Sequence, residues 1–337
     1  MTQYTHSFEM PTDFPPLQQD DEFMHRVPDG ASYELTETSY FGFCVPDKAI
    51  NGEIYIWLHP VLKVMSASVY IWQGFKGQSL AADYVNHIHY LPMVDQLQDY
   101  ELPMGLKVKV VDPFNEVRIS YEDAAADTSF NLTYRAFGPA VSRPGGHHFV
   151  QPMRVTGSLK LRGADHAIDA PFMRDKSWGQ PRTEARRPMP PSTWMAGCFE
   201  DGRVLHVHAF DDLEQSPEWA GDYMFPPAGM NLVWGYVQIN QRIIKLKHAQ
   251  KKTHRAANGV QPLRYEMVLI DEEGGQHTLT GEVKAALPWQ TWQNMLTWFS
   301  QTHWQWQTDQ GVVHGVGDTQ DIQFNDYVAK HFVGTTP

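Results

Sequence analysis

One short segment of the chain holds residue types that could carry out acid catalysis. Residues 173–179 follow an apolar, strand-like run, and they place Asp175 three positions before Trp178. A carboxyl group that lies among aromatic side chains and away from water has a raised pKa, so it can donate a proton near neutral pH. The face of a Trp ring also stabilises a nearby cation. The segment is therefore a candidate site for protonating a substrate and shielding the resulting cation.

The same aspartate also has a structural explanation. Asp175 could pair with Arg174 or with another arginine and fix the end of a strand, while Gly179 permits a tight turn. Structural ion pairs perturb pKa values just as catalytic sites do. The residue types alone therefore leave both interpretations open.

Histidines are the second group of residues with chemical potential. The chain has 16 of them, and several occur close together, among them His206 and His208. Residues i and i+2 of a strand share a face, so this pair could bind one metal ion, but no third ligand follows at a suitable spacing. Motifs for phosphate loops, dinucleotide binding and serine nucleophiles are absent from the sequence. We therefore expect no metal and no other cofactor.

Aromatic residues are abundant, with 11 Trp, 14 Tyr and 17 Phe making up 12% of the chain. Ordinary barrel packing accounts for most of them. A barrel interior can be filled by aliphatic side chains, however, so the surplus of Trp and Tyr also fits a cavity for a large apolar ligand. Besides Asp175 as the catalytic acid, the residues expected to bind this ligand are Trp57, Tyr70, Trp72, His148, Gln151, Trp178, His206 and Trp234.

The elements that must position these residues are almost all β-strands. Apolar and polar residues alternate in many segments, such as Val64–Trp72 and Leu106–Val111, and turn signals separate the segments. Strands at this spacing predict antiparallel sandwiches or barrels. The one helix that we predict is Pro288–Gln301, where a proline precedes apolar residues at helical spacing. The basic run Lys245–Arg255 is predicted to be a solvated hairpin.

A proline-rich segment divides the chain into unequal halves. Pro181–Pro191 carries four prolines and three arginines, a composition typical of an extended linker. We predict an N-terminal arm over residues 1–20, a first domain over residues 21–185 and a second domain over residues 186–337. The two cysteines are too few for a disulfide scaffold and are expected to be buried thiols.

Charge and hydropathy restrict the partners of the protein. The 27 Lys and Arg residues stand against 39 Asp and Glu residues, and the net charge of −12 argues against nucleic acid or an anionic membrane as a partner. The N-terminus lacks the basic start and apolar core of a signal peptide, and no run of about 18 apolar residues occurs. We expect a cytoplasmic protein with no integral membrane segment and a hydrophobic small molecule as its partner. Homodimerisation is left open.

Two motifs of the chain resemble those of a known family. Gln151 and Pro152 are followed by Gly157, and further along come Asp175 and the pair Trp178-Gly179. Together these residues resemble the carotenoid 1,2-hydratase-like proteins (hydroxyneurosporene synthase or AttH-like proteins), over most of the chain from about residue 42 onward. The resemblance implies two lipocalin-like (calycin) antiparallel β-barrel domains packed together, with little helix. This architecture agrees with the strand pattern.

The resemblance also implies an activity. Members of the family add water across a terminal isoprenoid double bond, including the prenyl side chains of plant phenolics, and related fungal proteins guide intramolecular cycloadditions. None of these reactions needs a metal or a nucleotide. In the family pattern Asp175 matches the acid, whereas Lys176 stands where His or Arg is more usual, which puts any proton-transfer role of that position in doubt here.

We therefore expect a cofactor-independent hydratase or lyase acting on an isoprenoid or other hydrophobic molecule. Asp175 would protonate the alkene, Trp178 and other aromatic rings would stabilise the carbocation, and His148 or Gln151 would hold the attacking water. One alternative is a non-catalytic protein that binds a hydrophobic ligand, because a fold does not fix a function. Another is an isomerase or pericyclase-like protein that shapes its substrate.

Overall fold

The structure, a computed structural model, describes residues 12–181, 189–211, 231–292 and 294–333. It confirms the all-β fold class, since strands take up 67% and helices 5% of the chain. Two compact units are present, one built from residues 12–73 and 80–181 and the other from residues 74–79 and the described residues after residue 188. The architecture is that of two lipocalin-like barrel domains, one curled and one closed.

The first unit is an antiparallel sheet of 11 strands that curls on itself. Hydrogen bonding links the strands in the order β4-β3-β2-β1-β11-β10-β8-β7-β6-β5, and β9 pairs with β10. The strands are β1 (Leu35–Val45), β2 (Ile50–His59), β3 (Val64–Gln73), β4 (Tyr84–Pro92), β5 (Asp99–Glu101), β6 (Leu106–Asp112), β7 (Glu116–Asp123), β8 (Thr128–Ala136), β9 (Val141–Ser142), β10 (His148–Leu161) and β11 (Ala164–Pro181). Strand β4 is therefore one edge of this sheet, and β5 is the other.

Alternation along the strands gives the sheet one apolar face, which the curl turns inward. Ile54 of β2 and its register partner Val69 of β3 are fully buried on this face. Across the curl, the rings of Phe43 and Phe130 lie 5.4 Å apart between centroids. Gly52 makes room for this contact, because a Cβ atom there would lie 2.2 Å from the Phe43 ring. The interior of the first unit is therefore a packed apolar core.

The second unit is a closed barrel of eight strands followed by a helix. Sequential strands pair all the way round, and the last pairs with the first, so every strand has neighbours on both sides. The elements are β12 (Ser192–Phe199), β13 (Val204–Phe210), β14 (Leu232–Ile239), β15 (Arg242–Arg255), β16 (Pro262–Asp271), β17 (Gln276–Trp292), β18 (Met295–Thr308), β19 (Gly311–Phe324) and α1 (Asn325–Val333). Buried side chains such as Val207, Met267 and Trp304 fill its interior.

Two predictions of secondary structure are wrong. Pro288–Gln301 is not a helix, because it forms the end of β17 and the start of β18, with Pro288 opposite Trp298. The end of β17 has ladder partners on β18, and the start of β18 has partners on both β17 and β19, which outweighs a weak local helical pattern. The basic run Lys245–Arg255 is not a hairpin but part of one strand, β15. Lys251 of this strand is fully buried because its ammonium pairs with the Asp211 carboxylate.

The predicted linker and the predicted N-terminal arm are only partly described by the structure. Residues 182–188 of the predicted linker and residues 1–11 of the predicted arm lie outside the described residues. Within the arm, Leu17 is buried against Phe114, Phe149 and Trp178. In the part of the chain that the structure describes, no helix has the length and apolar character needed to cross a bilayer.

Candidate active site

Asp175 and Arg174 point to opposite faces of β11. Adjacent residues of a strand alternate in direction, and register places Asp175 beside Tyr40 of β1, away from the apolar interior. The Arg174 guanidinium lies on the interior side, where its Nη2 donates to Glu22 Oε2 and to Gln151 Oε1, each at 2.7 Å. All three of these interior side chains are buried. An ion pair between Asp175 and Arg174, the first structural explanation of the motif, is therefore wrong.

The other inward-facing residues of the motif also hold the N-terminal segment. The Lys176 ammonium pairs with the Glu37 carboxylate, and Nδ1 of His25 lies 3.2 Å from Glu37 Oε1. The Trp178 ring stacks on the His25 ring, with centroids 4.4 Å apart and planes 5° from parallel. Burial alone would raise the pKa of Glu37, but Lys176 and His25 together hold it below its usual value. Lys176 and Trp178 thus face away from Asp175, as does Gln151, which pairs with Arg174 in the strand register.

Asp175 begins a row of side chains that crosses five strands on the other face of the sheet. Register places Asp175 beside Tyr40, Tyr40 beside Tyr55, Tyr55 beside Ser68, and Ser68 beside His87. Directly opposite residues of antiparallel strands share a face and have Cβ atoms about 5 Å apart. The row is therefore continuous from β11 to the edge strand β4.

Neighbouring rows extend this row into a larger surface, which we call the outer face of the first unit. Its members follow from the same registers, because every second residue of each strand points the same way. They are Thr38, Tyr40, Glu53, Tyr55, Trp57, Ser66, Ser68, Tyr70, Trp72, His87, His89, His148, Asp175 and Ser177.

Aromatic rings lie next to Asp175 on this face. Tyr40 and Tyr55 pack edge to face, with centroids 5.5 Å apart, and Tyr55 and Trp57 do the same at 5.1 Å. Tyr40 is buried, while Asp175 is half-buried. Because the faces of such rings are electron-rich, they can stabilise a positive charge that forms beside the carboxyl group.

The far end of the outer face carries a carboxylate, a phenol and imidazoles. Glu53 is fully buried and lies beside Tyr70 in register, and the Tyr70 hydroxyl lies 3.3 Å from Nδ1 of His87. Burial, helped by the charge of Glu53, raises the pKa of Tyr70 above its usual value. Burial lowers the pKa of His87 to about 4, and the neighbouring His89 contributes to the effect. At neutral pH the phenol is therefore protonated and the His87 imidazole is neutral.

Two buried hydroxyl groups of this face lack hydrogen-bond partners among the described residues. They are Oγ1 of Thr38 and Oγ of Ser68, and both side chains are about 1% exposed. Buried polar groups are nearly always paired, so each exception calls for a specific explanation. Because Ser68 lies between Tyr55 and His87 in the row, its hydroxyl is available to a polar atom of a bound molecule.

The structure brings five of the predicted site residues to the outer face, namely Asp175, His148, Trp57, Tyr70 and Trp72. Nδ1 of His148 lies 2.8 Å from Oγ of Ser177. Trp178 and Gln151 lie on the opposite face of the sheet, as described above.

The two remaining predicted residues, His206 and Trp234, belong to the second unit. Their rings lie 4.2 Å apart between centroids, and the His206 ring also packs against Trp194 and Tyr236. Nε2 of His208, the residue two positions after His206, lies 3.2 Å from Oγ of Ser192. Within the described ranges, no group of three or more His, Cys, Asp or Glu side chains could hold a metal ion.

Sequence reasoning missed three residues of the outer face, Tyr40, Glu53 and Ser68. A signal for Glu53 exists in β2, where it takes the polar position of an alternating run whose apolar positions are Ile54 and Ile56. A carboxylate inside a strand with aromatic residues at the next positions of the same face is uncommon, because removing a charge from water costs free energy.

The comparisons place the chain in a family and identify solved structures with a similar fold. Its sequence matches a family described as a domain of unknown function (DUF7064) over residues 18–325. No curated protein sequence matches it. Kievitone hydratase from Nectria haematococca has a similar structure, with a TM-score of 0.53 and 13% identity over 86% of this chain and 89% of that one.

Two further solved structures are similar over nearly their whole length. A protein with the provisional name AttH from Nitrosomonas europaea has a TM-score of 0.56 and 13% identity, over 87% of this chain and 94% of that one. CghA has a TM-score of 0.57 and 12% identity, over 96% of this chain and 97% of that one. At such identities the likeness shows a shared fold. The chain therefore belongs to the DUF7064 family and shares its fold with kievitone hydratase, AttH and CghA.

Proposed function

We propose that the protein is a cofactor-independent hydratase or lyase that acts on an isoprenoid or another hydrophobic molecule at the outer face of the first unit. The observation that carries this proposal is the position of Asp175, which lies beside Tyr40 and is separated from Arg174 by the strand itself. The shared fold with a hydratase supports the reaction class.

In the proposed reaction, Asp175 acts as a general acid toward an alkene. The π electrons of the alkene form a C–H bond with the carboxyl proton and leave a tertiary carbocation, and water then attacks this cation. The rings of Tyr40, Tyr55 and Trp57 stabilise the cation while it exists. The same steps in reverse order dehydrate an alcohol.

Substitution of Asp175 tests the proposal. The probes are 2-prenylphenol and geraniol, which carry trisubstituted alkenes, and the product is detected by mass spectrometry as the probe plus one water. We expect Asp175→Asn to lower kcat by about 10²- to 10⁴-fold, the usual size of a general-acid contribution. Asp169→Asn is the matched control, because Asp169 lies on the same strand but is exposed and pairs with Arg154.

The outcomes separate the proposal from its alternatives. Unchanged turnover by Asp175→Asn would refute the role of this residue as acid. A large drop in melting temperature would instead support a structural ion pair with a partner other than Arg174. If wild-type protein binds both probes and converts neither, the protein is a binding protein for hydrophobic ligands and the hydratase proposal is wrong.

A further inference from the structure

Hydration of an alkene needs a group that accepts a proton from water as well as one that donates a proton to carbon. We propose that Glu53 accepts the proton of the attacking water and that Tyr70 and His87 carry it to the edge of the sheet. This inference rests on the proposed function, because it completes the reaction that Asp175 begins.

The position of Glu53 suits this role. Tyr40, the partner of Asp175, lies two residues from Gly42, the partner of Glu53, so two strand spacings and one two-residue step separate the carboxyl-bearing residues. With strands about 4.8 Å apart and about 6.8 Å per two residues, the two Cα atoms are about 12 Å apart. Both side chains point to the same face of the sheet, so their carboxyl groups are separated by a distance of the same order as their Cα atoms. An alkene and a water between two carboxyl groups span a similar distance, about 10 Å, as three contacts of about 3 Å and one carbon–carbon bond.

The residues between the two carboxyl groups suit a cationic intermediate. Tyr40 lies beside Asp175, and Tyr55 lies beside Tyr40 and two residues from Glu53 on the same strand face. Their edge-to-face packing places aromatic rings where the charge would develop. A carbocation formed by Asp175 would therefore be stabilised on its way to capture by water.

Ser68 supplies a group that can hold this water. Its buried hydroxyl lacks a hydrogen-bond partner among the described residues, and it lies between Tyr55 and His87 in the row. A hydroxyl can donate one hydrogen bond and accept two, so it can bind a water while Glu53 accepts a proton from the same molecule.

Solvent exposure increases step by step along the proposed path from Glu53 to the edge of the sheet. Glu53 is fully buried, Tyr70 is 5% exposed, His87 is half-buried and His89 is exposed. Tyr70 is the register partner of Glu53, its hydroxyl lies 3.3 Å from Nδ1 of His87, and the rings of His87 and His89 lie 4.2 Å apart. The elevated pKa of Tyr70, caused by burial and by Glu53, agrees with the proximity of this pair. The path ends on the edge strand β4.

A bulge in β4 fixes the outer end of this path. Tyr90 has a φ of 59°, and the register of β3 with β4 shifts between Met65 and Ala67. Such bulges re-aim side chains and are frequent beside active sites. Here the bulge sets His89 against Ser66, with Nδ1 of the histidine 3.3 Å from the serine hydroxyl.

The proton balance of the complete reaction closes without any further reactant. The carboxyl proton of Asp175 goes to carbon, the water oxygen bonds to the cation, and a water proton goes to Glu53. Tyr70 accepts the proton from Glu53 as it donates its own to His87, which releases it to solvent. Asp175 regains a proton from solvent, so one water is consumed and nothing is oxidised or reduced.

Kinetics of Glu53→Gln test the proposal with 2-prenylphenol and geraniol as probes. We expect a fall in kcat of about 10²- to 10⁴-fold, as for other general bases. Formate should restore part of the activity of Glu53→Ala by replacing the missing carboxylate. Glu101→Gln is the control, because Glu101 is exposed and lies on β5.

Tyr70→Phe and His87→Gln test the relay. Both should lower kcat about 10-fold or more and leave KM unchanged, because they slow proton release rather than binding. Tyr100→Phe, a buried tyrosine of β5, should behave as the wild type. Nitrogen NMR of the histidine rings tests the same link without substrate. If the Tyr70 hydroxyl donates a hydrogen bond to Nδ1 of His87, the ring proton stays on Nε2. Tyr70→Phe should therefore change the nitrogen chemical shifts of His87.

The outcomes distinguish this inference from the proposed function. If Asp175→Asn abolishes turnover while Glu53→Gln keeps its kcat, the relay is wrong and the acid role of Asp175 stands. If Asp175→Asn turns over as the wild type, or if the wild type hydrates neither probe, the proposed function itself fails. A His87 signal that is indifferent to Tyr70→Phe overturns the Tyr70–His87 link whatever the kinetics show.

Discussion

Glu22→Ala should destabilise the first unit strongly, because the motif residue Arg174 depends on this carboxylate. Glu22 accepts hydrogen bonds from the Arg174 guanidinium and from the backbone N–H of Phe114, the latter at 3.0 Å. Both side chains of the ion pair are at most 4% exposed. Alanine therefore leaves a buried cation without its counter-charge and a buried N–H without its acceptor.

The magnitude follows from these contacts. Removing one partner of a buried ion pair costs about 3–5 kcal/mol, and an orphaned buried N–H costs about 1–3 kcal/mol. Arg174 keeps its bonds to Gln151, at 3.0 Å from Nε and 2.7 Å from Nη2, which offset part of the loss. We expect a net loss of about 4 kcal/mol in the free energy of unfolding. Glu22→Gln retains an acceptor and should lose about half as much.

Native-state hydrogen exchange of the amides in β10 and β11 is the assay, since it reports on the first unit separately. The double variant Glu22→Leu with Arg174→Met should recover the part of the loss that comes from the ion pair, because an apolar pair can replace a buried ion pair, whereas the N–H of Phe114 stays without its acceptor. A loss below about 1 kcal/mol for Glu22→Ala would refute the assignment of this carboxylate to Arg174. Only a loss of about 4 kcal/mol for Asp175→Asn combined with a loss below about 1 kcal/mol for Glu22→Ala would show that Arg174 pairs with the candidate acid.

Three further predictions concern ionisation and burial. The pKa of His25 is raised above its usual value of 6.5 by Asp21 and Glu37, against the opposing effect of burial, so its contribution to stability is complete below pH 6.5 and is lost as the pH rises through the folded-state value. Asp21 and Glu37 have lowered pKa values, so their contribution to stability is complete above their usual values of 3.8 and 4.5 and is lost as the pH falls. The urea midpoint of the first unit should therefore be highest between pH 4.5 and 6.5. His25→Gln should make the midpoint depend less on pH above 6.5. Lys251→Met leaves the buried carboxylate of Asp211 with its weaker contact to a neighbouring arginine, so thermal unfolding should show a loss of about 3 kcal/mol in the second unit, whereas an unchanged transition would contradict the buried pair. Because both cysteines are buried thiols, a thiol reagent should modify none in the native protein and two after unfolding, and rapid native labelling would contradict their burial.

The parts of the fold that the sequence predicts are those set by local alternation. In β3, polar and apolar residues alternate strictly, so the position of Tyr70 and Trp72 on one face follows from the period of a strand. The segment after Pro288 could not be assigned in this way, because its apolar spacing fits a helix and only closure of the barrel selects the strand.

The parts of the site that could not be predicted depend on contacts between distant segments. Arg174 and Glu22 are 152 residues apart in the chain, so no local pattern identifies the partner of the arginine. The proximity of Asp175 to Glu53 likewise depends on the strand order β2-β1-β11, which is a property of the whole sheet. Motif spacing indicated the candidate acid, but the sheet determines which groups lie beside it.

Isotopic labelling of the product tests directly whether Asp175 is needed to add water to the substrate. Turnover of 2-prenylphenol is run in deuterium oxide and in heavy-oxygen water and read by mass spectrometry. The wild type and Asp169→Asn should form a product with one non-exchangeable deuterium on carbon and one heavy oxygen, and Asp175→Asn should not. A product without both labels, or an equally labelled product from Asp175→Asn, would contradict this role of Asp175.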